Sequence, residues 1–295
     1  MASELLISEA FELYRLEVIV YLNQSNRTEE MSLGAMKTLI KYAGDIPIAD
    51  LTFDKIRKWK EHLEKGREQS TVRGYILKLR VVLKHLNRRG YKNIINHEMV
   101  GVPKRVDKIV NFLAPAEISH LIEIAFKPVS GYSAISRYRN RATVSFLYAS
   151  GIRVTELCNL NRASLQEDNT FSIIGKGGKA RLCFFDDRAR KHIDEYLALR
   201  TDSCPALFIS EKTGDRVSKD TIELIFRNLS KKAGHTTPVT PHIMRHSYAT
   251  NLLRNNTNLL YVRDFLGHKS IQTTEMYTHV VNEDLRQIYA LKHST

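Results

Sequence analysis

The sequence predicts a two-domain, mostly α-helical protein with one small β-sheet, and three observations carry that prediction. At 295 residues the chain is longer than a single hydrophobic core usually fills. Hydrophobic residues make up 43% of it, enough for packed interiors and too many for a disordered chain. Apolar residues recur at helical spacing through the first ninety positions, whereas the later part mixes that period with short strand-like runs.

Taken in order, "SEAFELYRLEVIVYLNQ" (8–24) reads as a helix with Ser8 as its N-cap. "TEEMSLGAMKTLIKYAG" (28–44) ends on Gly44, a C-terminal cap. "LTFDKIRKWKEHLEKG" (51–66) and "STVRGYILKLRVVLKHLNRRG" (70–90) also finish on glycine. Four helices with short connections form a small bundle or an orthogonal packing. "INHEMVGVPKRVDKIVNFLAP" (95–115) loses the helical period and carries Gly101, Pro103, Pro115 and a basic cluster, the composition of a linker. The domains are accordingly expected at 1–95 and 114–295, joined by 96–113. Helices follow over 115–126, 136–150 and 153–160. The strands "TFSII" (170–174) and "ARLCFF" (180–185) flank the turn "GKGGK". A helix over 187–200, a candidate strand "ALFIS" (206–210), and helices over 218–233, 242–254, 258–266, 270–278 and 282–292 complete the chain.

Charge narrows the partner. Forty-five Lys and Arg against 32 Asp and Glu leave a net +13, which points to a polyanion, nucleic acid before membrane. The excess is +6 up to residue 110 and +7 after it, so both halves can face the same polyanion. Between Asp54 and Lys92 there are 13 basic and 4 acidic residues, interleaved with Trp59, Tyr75 and Tyr91. That one-sided excess favours a DNA-facing surface over a solvated basic face. Charge alone does not separate a DNA enzyme from a passive DNA- or RNA-binding protein. No apolar run approaches a membrane span and the first twenty residues alternate charged with apolar, so no membrane association and a cytoplasmic location are expected. Cys158, Cys183 and Cys204 are far apart and show no CxxC spacing, which suits reduced buried thiols.

The densest polar cluster is "TPHIMRHSYATNLL" (240–253). His242 and Arg245 lie three apart at a helix start and share a face. His242 and His246 have a metal-like spacing, but Ile243 stands where a zinc hydrolase has glutamate and Arg245 repels a cation. A helix N-terminus with an arginine suits a phosphate better. In "SGIRVTELCNL" (150–160), Arg153 and Glu156 are either a surface i,i+3 ion pair, the better reading of that segment alone, or a phosphate-binding arginine held by a glutamate. "IIGKGGKARLCFF" (173–185) is a hairpin with Lys176 and Lys179 on its turn. It lacks the closing GK[ST] of a nucleotide-binding loop.

Together, Arg153 in "SGIRVTEL", Lys176 in "GKGGK", "HIMRH" at 242–246, "LGH" at 266–268 and Tyr277 resemble the tyrosine recombinases, also called the phage integrase family. Each motif is weak alone, and five in order over 125 residues are specific. Met244 replaces the leucine usual in the family's HxLRH, an apolar swap of similar size. The stretch 127–139 looks longer than in compact members. The chain is most similar to the compact Xer-type recombinases, which lack an arm-binding domain.

The resemblance implies a helical, SAM-like core-binding domain and an α+β catalytic domain closing on DNA as a C-shaped clamp. It further implies a tetramer on two DNA sites, of this chain alone or with a second recombinase, with the helix near 282–292 docking on a neighbour. The expected catalytic residues are Arg153, Lys176, His242, Arg245, His268 and Tyr277. A free tyrosine has a pKa of about 10, so only roughly 0.1% is phenolate at pH 7 and Tyr277 needs His242 as its base. Arg153 and Arg245 clamp the charged transition state and His268 adds a hydrogen bond. Lys176 protonates the leaving 5′ oxygen, with Lys179 as its rival. No metal and no other cofactor is expected, because two arginines do the electrostatic work. The competing readings are a catalytically silent DNA-binding protein and a type IB topoisomerase.

Overall fold

The computed structural model describes residues 5–24, 26–104, 111–128, 133–174, 180–267 and Thr274. The chain divides into two compact units, Met1–Lys108 and Ile109–Thr295. Both are helical, and the one sheet among the described residues is a two-stranded antiparallel hairpin in the second unit. No described helix is long and apolar enough to cross a membrane.

The first unit contains α1 (Ile7–Tyr14), α2 (Asn26–Ala43), α3 (Phe53–Glu64) and α4 (Gln69–Arg88). In α1 the buried residues Ile7, Ala10, Phe11 and Tyr14 follow the i, i+3, i+4, i+7 pattern that aligns one apolar face. Ser8 is not the N-cap. The cap lies two residues earlier, at Leu6, whose N–H is donated to the Glu9 carboxylate. Ser8 donates instead from its amide and its hydroxyl to Asp45, beyond α2, at 2.9 and 2.6 Å. The helix expected over 8–24 also changes pitch, since Arg15–Val20 is a π-helix. There Glu17 meets His85 at 2.7 Å and also Arg89, which holds the wide turn against the end of α4.

Trp59 shares a face of α3 with Ile56 and Leu63 and is fully buried, while Tyr75 and Tyr91 pack partly buried on the same core. The aromatics interleaved with the basic stretch are therefore core residues, not part of an exposed set. The charges divide as well. On α3, Arg57, Lys58 and Lys60 pair with Asp54, Glu61 and Glu64. On α4, Arg73, Arg80, Lys84 and Arg88 recur at helical spacing along one stripe, with no carboxylate partner among the described residues. Beyond α4, Val100 is buried in this first core and Ile94, Ile95 and Val102 pack against it.

The second unit contains α5 (Pro115–Phe126), α6 (Ala134–Ser150), α7 (Val154–Asn159), β1 (Thr170–Ile174), β2 (Ala180–Phe184), α8 (Asp187–Leu197), α9 (Lys219–Lys232), α10 (Pro241–Arg254) and α11 (Leu259–Leu266). Ser133, Asp186, Ser218, Thr240 and Asn258 each cap a helix by accepting from a first-turn amide. α6 is central, with Ala142, Val144, Phe146 and Leu147 all buried. Phe146 meets Phe171 and Phe185 at ring separations of 5.2 and 5.1 Å, which anchors the hairpin to the core. β1 and β2 pair from Thr170 with Phe184 to Ile174 with Ala180. Phe171, Ile173 and Cys183 point inward and are buried.

No strand forms over 206–210, contrary to expectation. Ala206 and Ile209 make only isolated bridges, to Asn161 and Arg216. The Arg200 guanidinium donates to the carbonyls of Ala206 and Leu207, which removes acceptors a strand partner needs. Cys158 and Cys183 are buried free thiols, but Cys204 is only half-buried, in the surface turn built around Asp202. The helices expected over 270–278 and 282–292 lie outside the described residues, apart from Thr274, which is buried.

Candidate active site

α10 starts where Thr240 accepts from the Ile243 amide at 3.2 Å and Pro241 takes the first helical position. That start sets His242 and Arg245 on one side, and their environments differ sharply. His242 reaches solvent, with its ring edge-on to His246 at a centroid separation of 4.4 Å. Arg245 is only 2% exposed. Its Nη1 donates to the Gly151 carbonyl at 2.6 Å, and its Nη2 donates to the Leu266 carbonyl.

Each of those carbonyls belongs to a chain reversal. Gly151 ends α6 in the left-handed conformation at φ +61°, and a Cβ there would lie 2.2 Å from the Tyr248 ring. The chain then buries Ile152 and presents Arg153 as the N-cap of α7. Leu266 ends α11, and Gly267 follows in the left-handed conformation at φ +63°. One buried arginine thus fixes the turn into Arg153 and the turn that precedes His268.

Arg153 is not a simple surface ion pair. Glu156 receives the Arg153 amide at 2.8 Å and Arg153 Nη1 at 3.0 Å. The same carboxylate takes a two-point bond from Arg181 of β2, with Nη1 at 3.0 Å and Nη2 at 2.8 Å. Side chains of Glu156 and Arg181 are 13% and 14% exposed, whereas that of Arg153 is 42% exposed. Arg153 therefore turns toward solvent from a shielded base.

The electrostatics follow from these contacts. Burial works to raise the Glu156 pKa, but hydrogen bonds from Arg181 and the Arg153 amide, with the charges of both arginines, bring it down to about 2. The carboxylate is ionised at any ordinary pH. Desolvation, then the charges of Arg245 and Arg153, push His242 below its usual value and keep the imidazole neutral at pH 7. Burial pushes the Tyr248 hydroxyl up to about 12, so this aromatic over Gly151 stays protonated.

Of the six residues expected in the site, the structure brings Arg153, His242 and Arg245 together. Lys176, His268 and Tyr277, and the rival Lys179, lie outside the described residues. Sequence reasoning missed Arg181 and gave Glu156 only one of its two arginine partners. The signal for Arg181 was its place in "ARLCF", where strand alternation sets it on the same inward face as Cys183.

Comparison with known proteins identifies the family and the fold. Residues 111–284 match the model of the phage integrase family. The chain is 33% identical over 254 residues to the tyrosine recombinase XerC of Bacillus licheniformis, covering 83% of this chain and 82% of that protein. It is similar to the crystal structure of a XerA recombinase, at 27% identity and a TM-score of 0.55 over 98% of both chains. The fold is also that of the XerH site-specific recombinase bound to its palindromic difH substrate, with a TM-score of 0.73 at 20% identity over 98% of this chain and 84% of that one. The chain belongs to the phage integrase family, the tyrosine recombinases.

Proposed function

We propose that this protein is a site-specific DNA recombinase that cuts and rejoins duplex DNA through a 3′-phosphotyrosine intermediate, to integrate or excise a mobile element or to resolve chromosome or plasmid dimers. The observation that carries this reading is the cluster itself. A solvent-facing Arg153, a buried Arg245 and a neutral His242 converge where α7 and α10 begin, in a chain of this family.

The geometry suits phosphoryl transfer. The Tyr277 hydroxyl attacks the scissile phosphorus, and His242, neutral at pH 7, accepts its proton. Charge builds on the non-bridging oxygens. Arg153 donates to them from its clamped position, and Arg245 supplies a fixed positive charge in a water-poor setting. His268 adds a hydrogen bond. Lys176, or Lys179, protonates the departing 5′ oxygen. The phosphotyrosine ester conserves the energy of the broken bond, so a second 5′ hydroxyl attacks it and rejoins the strand without ATP. In this reading no metal or other cofactor takes part.

Residues 1–95 act as the core-binding domain, 96–113 as the linker and 114–295 as the catalytic domain, each contributing contacts to DNA. The α4 stripe Arg73, Arg80, Lys84 and Arg88, without a carboxylate partner among the described residues, gives the first unit its phosphate contacts. The working assembly is a tetramer on two sites, of one chain or with a second recombinase, and it acts in the cytoplasm.

The test uses a duplex carrying the protein's preferred site, recovered from a random pool, with a nick beside the cleavage point. Wild type should form a covalent adduct in the presence of chelator, and Tyr277→Phe should form none. An adduct with Tyr277→Phe, or none with wild type, refutes the reading. Exchange between two sites, as opposed to relaxation of one supercoiled circle, separates a recombinase from a topoisomerase.

A further inference from the structure

We propose that Arg181 is a positioning residue for DNA cleavage, holding Glu156, and through it the Arg153 guanidinium, while bracing the backbone at Gly267. The inference rests on the strand-transfer reading above. It begins with an anomaly in the hairpin. Arg181 pairs with Ile173 across the sheet and faces inward beside Cys183, among residues that are otherwise apolar and buried. A guanidinium is stable there only with a partner that satisfies it.

That partner is Glu156, bound through both terminal nitrogens at 3.0 and 2.8 Å. Two parallel bonds fix the plane of a carboxylate as well as its position. The same two oxygens receive Arg153 Nη1 and the Arg153 amide. Arg153, 42% exposed, owes its orientation to a carboxylate that Arg181 has already oriented. Without Arg181, only the amide and Nη1 of Arg153 itself hold Glu156, and the two-point contact that fixes the plane of the carboxylate, and with it the Arg153 guanidinium, is lost.

The second contact is steric. A Cβ on Gly267 would lie 2.9 Å from Arg181 Cδ and 3.0 Å from its Cζ and Nε, so the guanidinium rests directly on this backbone. His268 is the next residue in the chain. At its other end, β2 begins one residue after Lys179. One planar side chain thus links three segments that each lead to a different residue of the proposed chemistry: the hairpin, the start of α7 and the turn after α11. Arg181 itself touches no reacting atom in this scheme.

The experiment measures single-turnover cleavage of the nicked selected duplex at saturating protein, with DNA affinity measured separately. Arg181→Met should cleave about 10–100-fold more slowly, with affinity within about twofold of wild type, because misplacement of a phosphate ligand acts on the chemical step. Arg181→Lys retains charge but offers one point of contact, and should fall in between. A second substrate with a methylphosphonate at the scissile position lacks the charge that Arg153 meets. On it, the deficits of Arg181→Met and Arg153→Met should shrink together. Wild-type rates for Arg181→Met overturn the proposal. So does a deficit that persists on the methylphosphonate while that of Arg153→Met shrinks, since this marks a purely structural role. If Arg181→Met fails to melt cooperatively by circular dichroism, Arg181→Lys decides by the same criteria. Absence of any wild-type adduct refutes the strand-transfer reading and this inference with it. A wild-type adduct matched by Arg181→Met refutes the positioning role alone.

Discussion

Replacing Glu156 with glutamine keeps the shape of the side chain and removes the charge that Arg153 and Arg181 share. The size of that loss can be worked out from the carboxyl pKa. A fall from 4.5 to about 2, at about 1.4 kcal/mol per pH unit, stabilises the folded state by about 3 kcal/mol at neutral pH. Because the folded value lies below the unfolded one, this stabilisation is complete above pH 4.5 and disappears as pH falls through about 2. At pH 3.5 the unfolded glutamate already binds its proton, which leaves about 2 kcal/mol. Most of the effect belongs to the shielded Arg181 pair, since solvent screens the more exposed Arg153. The stability gap between wild type and Glu156→Gln should therefore narrow by about 1 kcal/mol between pH 7 and pH 3.5. Urea unfolding should be followed by far-ultraviolet circular dichroism. Trp59, the single tryptophan, lies in the first unit, so fluorescence reports the wrong core. Carbon-13 labelling of the glutamate carboxyls reads the titration directly. A gap that stays flat from pH 7 to 3.5, or a Glu156 carboxyl titrating near 4.5, refutes the shared-clamp argument.

Gly151→Ala must place a Cβ where the Tyr248 ring lies and must hold φ at +61°, so it should destabilise the protein by about 2–4 kcal/mol; thermal melting within 0.5 kcal/mol (about one such error) of wild type counts against the packing described. His242 should titrate below 6.5 by NMR of its ring protons, and Arg153→Met should raise that value by removing one of the charges that depress it. A His242 that titrates at or above 6.5, or ignores Arg153→Met, contradicts the site's electrostatics. Arg80→Gln with Lys84→Gln should lower the slope of log affinity against log salt by about 2, or about 0.9 for each lost phosphate contact; an unchanged slope removes the α4 stripe from the DNA interface.

The helical elements were legible because their evidence is local. Ile7, Ala10, Phe11 and Tyr14 in α1, or Ile56, Trp59 and Leu63 in α3, repeat at intervals the chain itself supplies. Features set by distant partners were not legible. Arg15–Val20 reads as ordinary helix, and its π-turn lies against His85 and Arg89 at the C-terminal end of a helix some seventy residues on. "ALFIS" has strand composition, yet Arg200 takes its carbonyls. Trp59 was counted with the charges beside it because composition ignores which way a residue points. Arg181 is the instructive case. Its inward direction could be read from the alternation in "ARLCF", but its partner Glu156 lies 25 residues earlier and the hairpin register decides whether they meet.

The two arginines recognised from their motifs are held by opposite physical means, and this separates their work. Arg153 is held by a carboxylate, which fixes it through charge and leaves its outer face exposed to a ligand. Arg245 is held by backbone carbonyls at the ends of α6 and α11, where helix dipoles favour a cation. Those dipoles do not titrate and do not move unless a helix does. That is how a guanidinium can be 98% removed from solvent and still remain charged. In the proposed chemistry the "HIMRH" spacing therefore encodes more than a phosphate ligand. Arg245 meets a carbonyl 94 residues before it and another 21 residues after it, and so gathers the turn into Arg153 and the turn that ends α11. A lysine there would carry the charge, but one ammonium on a flexible stem cannot reproduce a fork that spans both carbonyls. The charge and the architecture are supplied by the same atoms, so chemistry and folding constrain this position together.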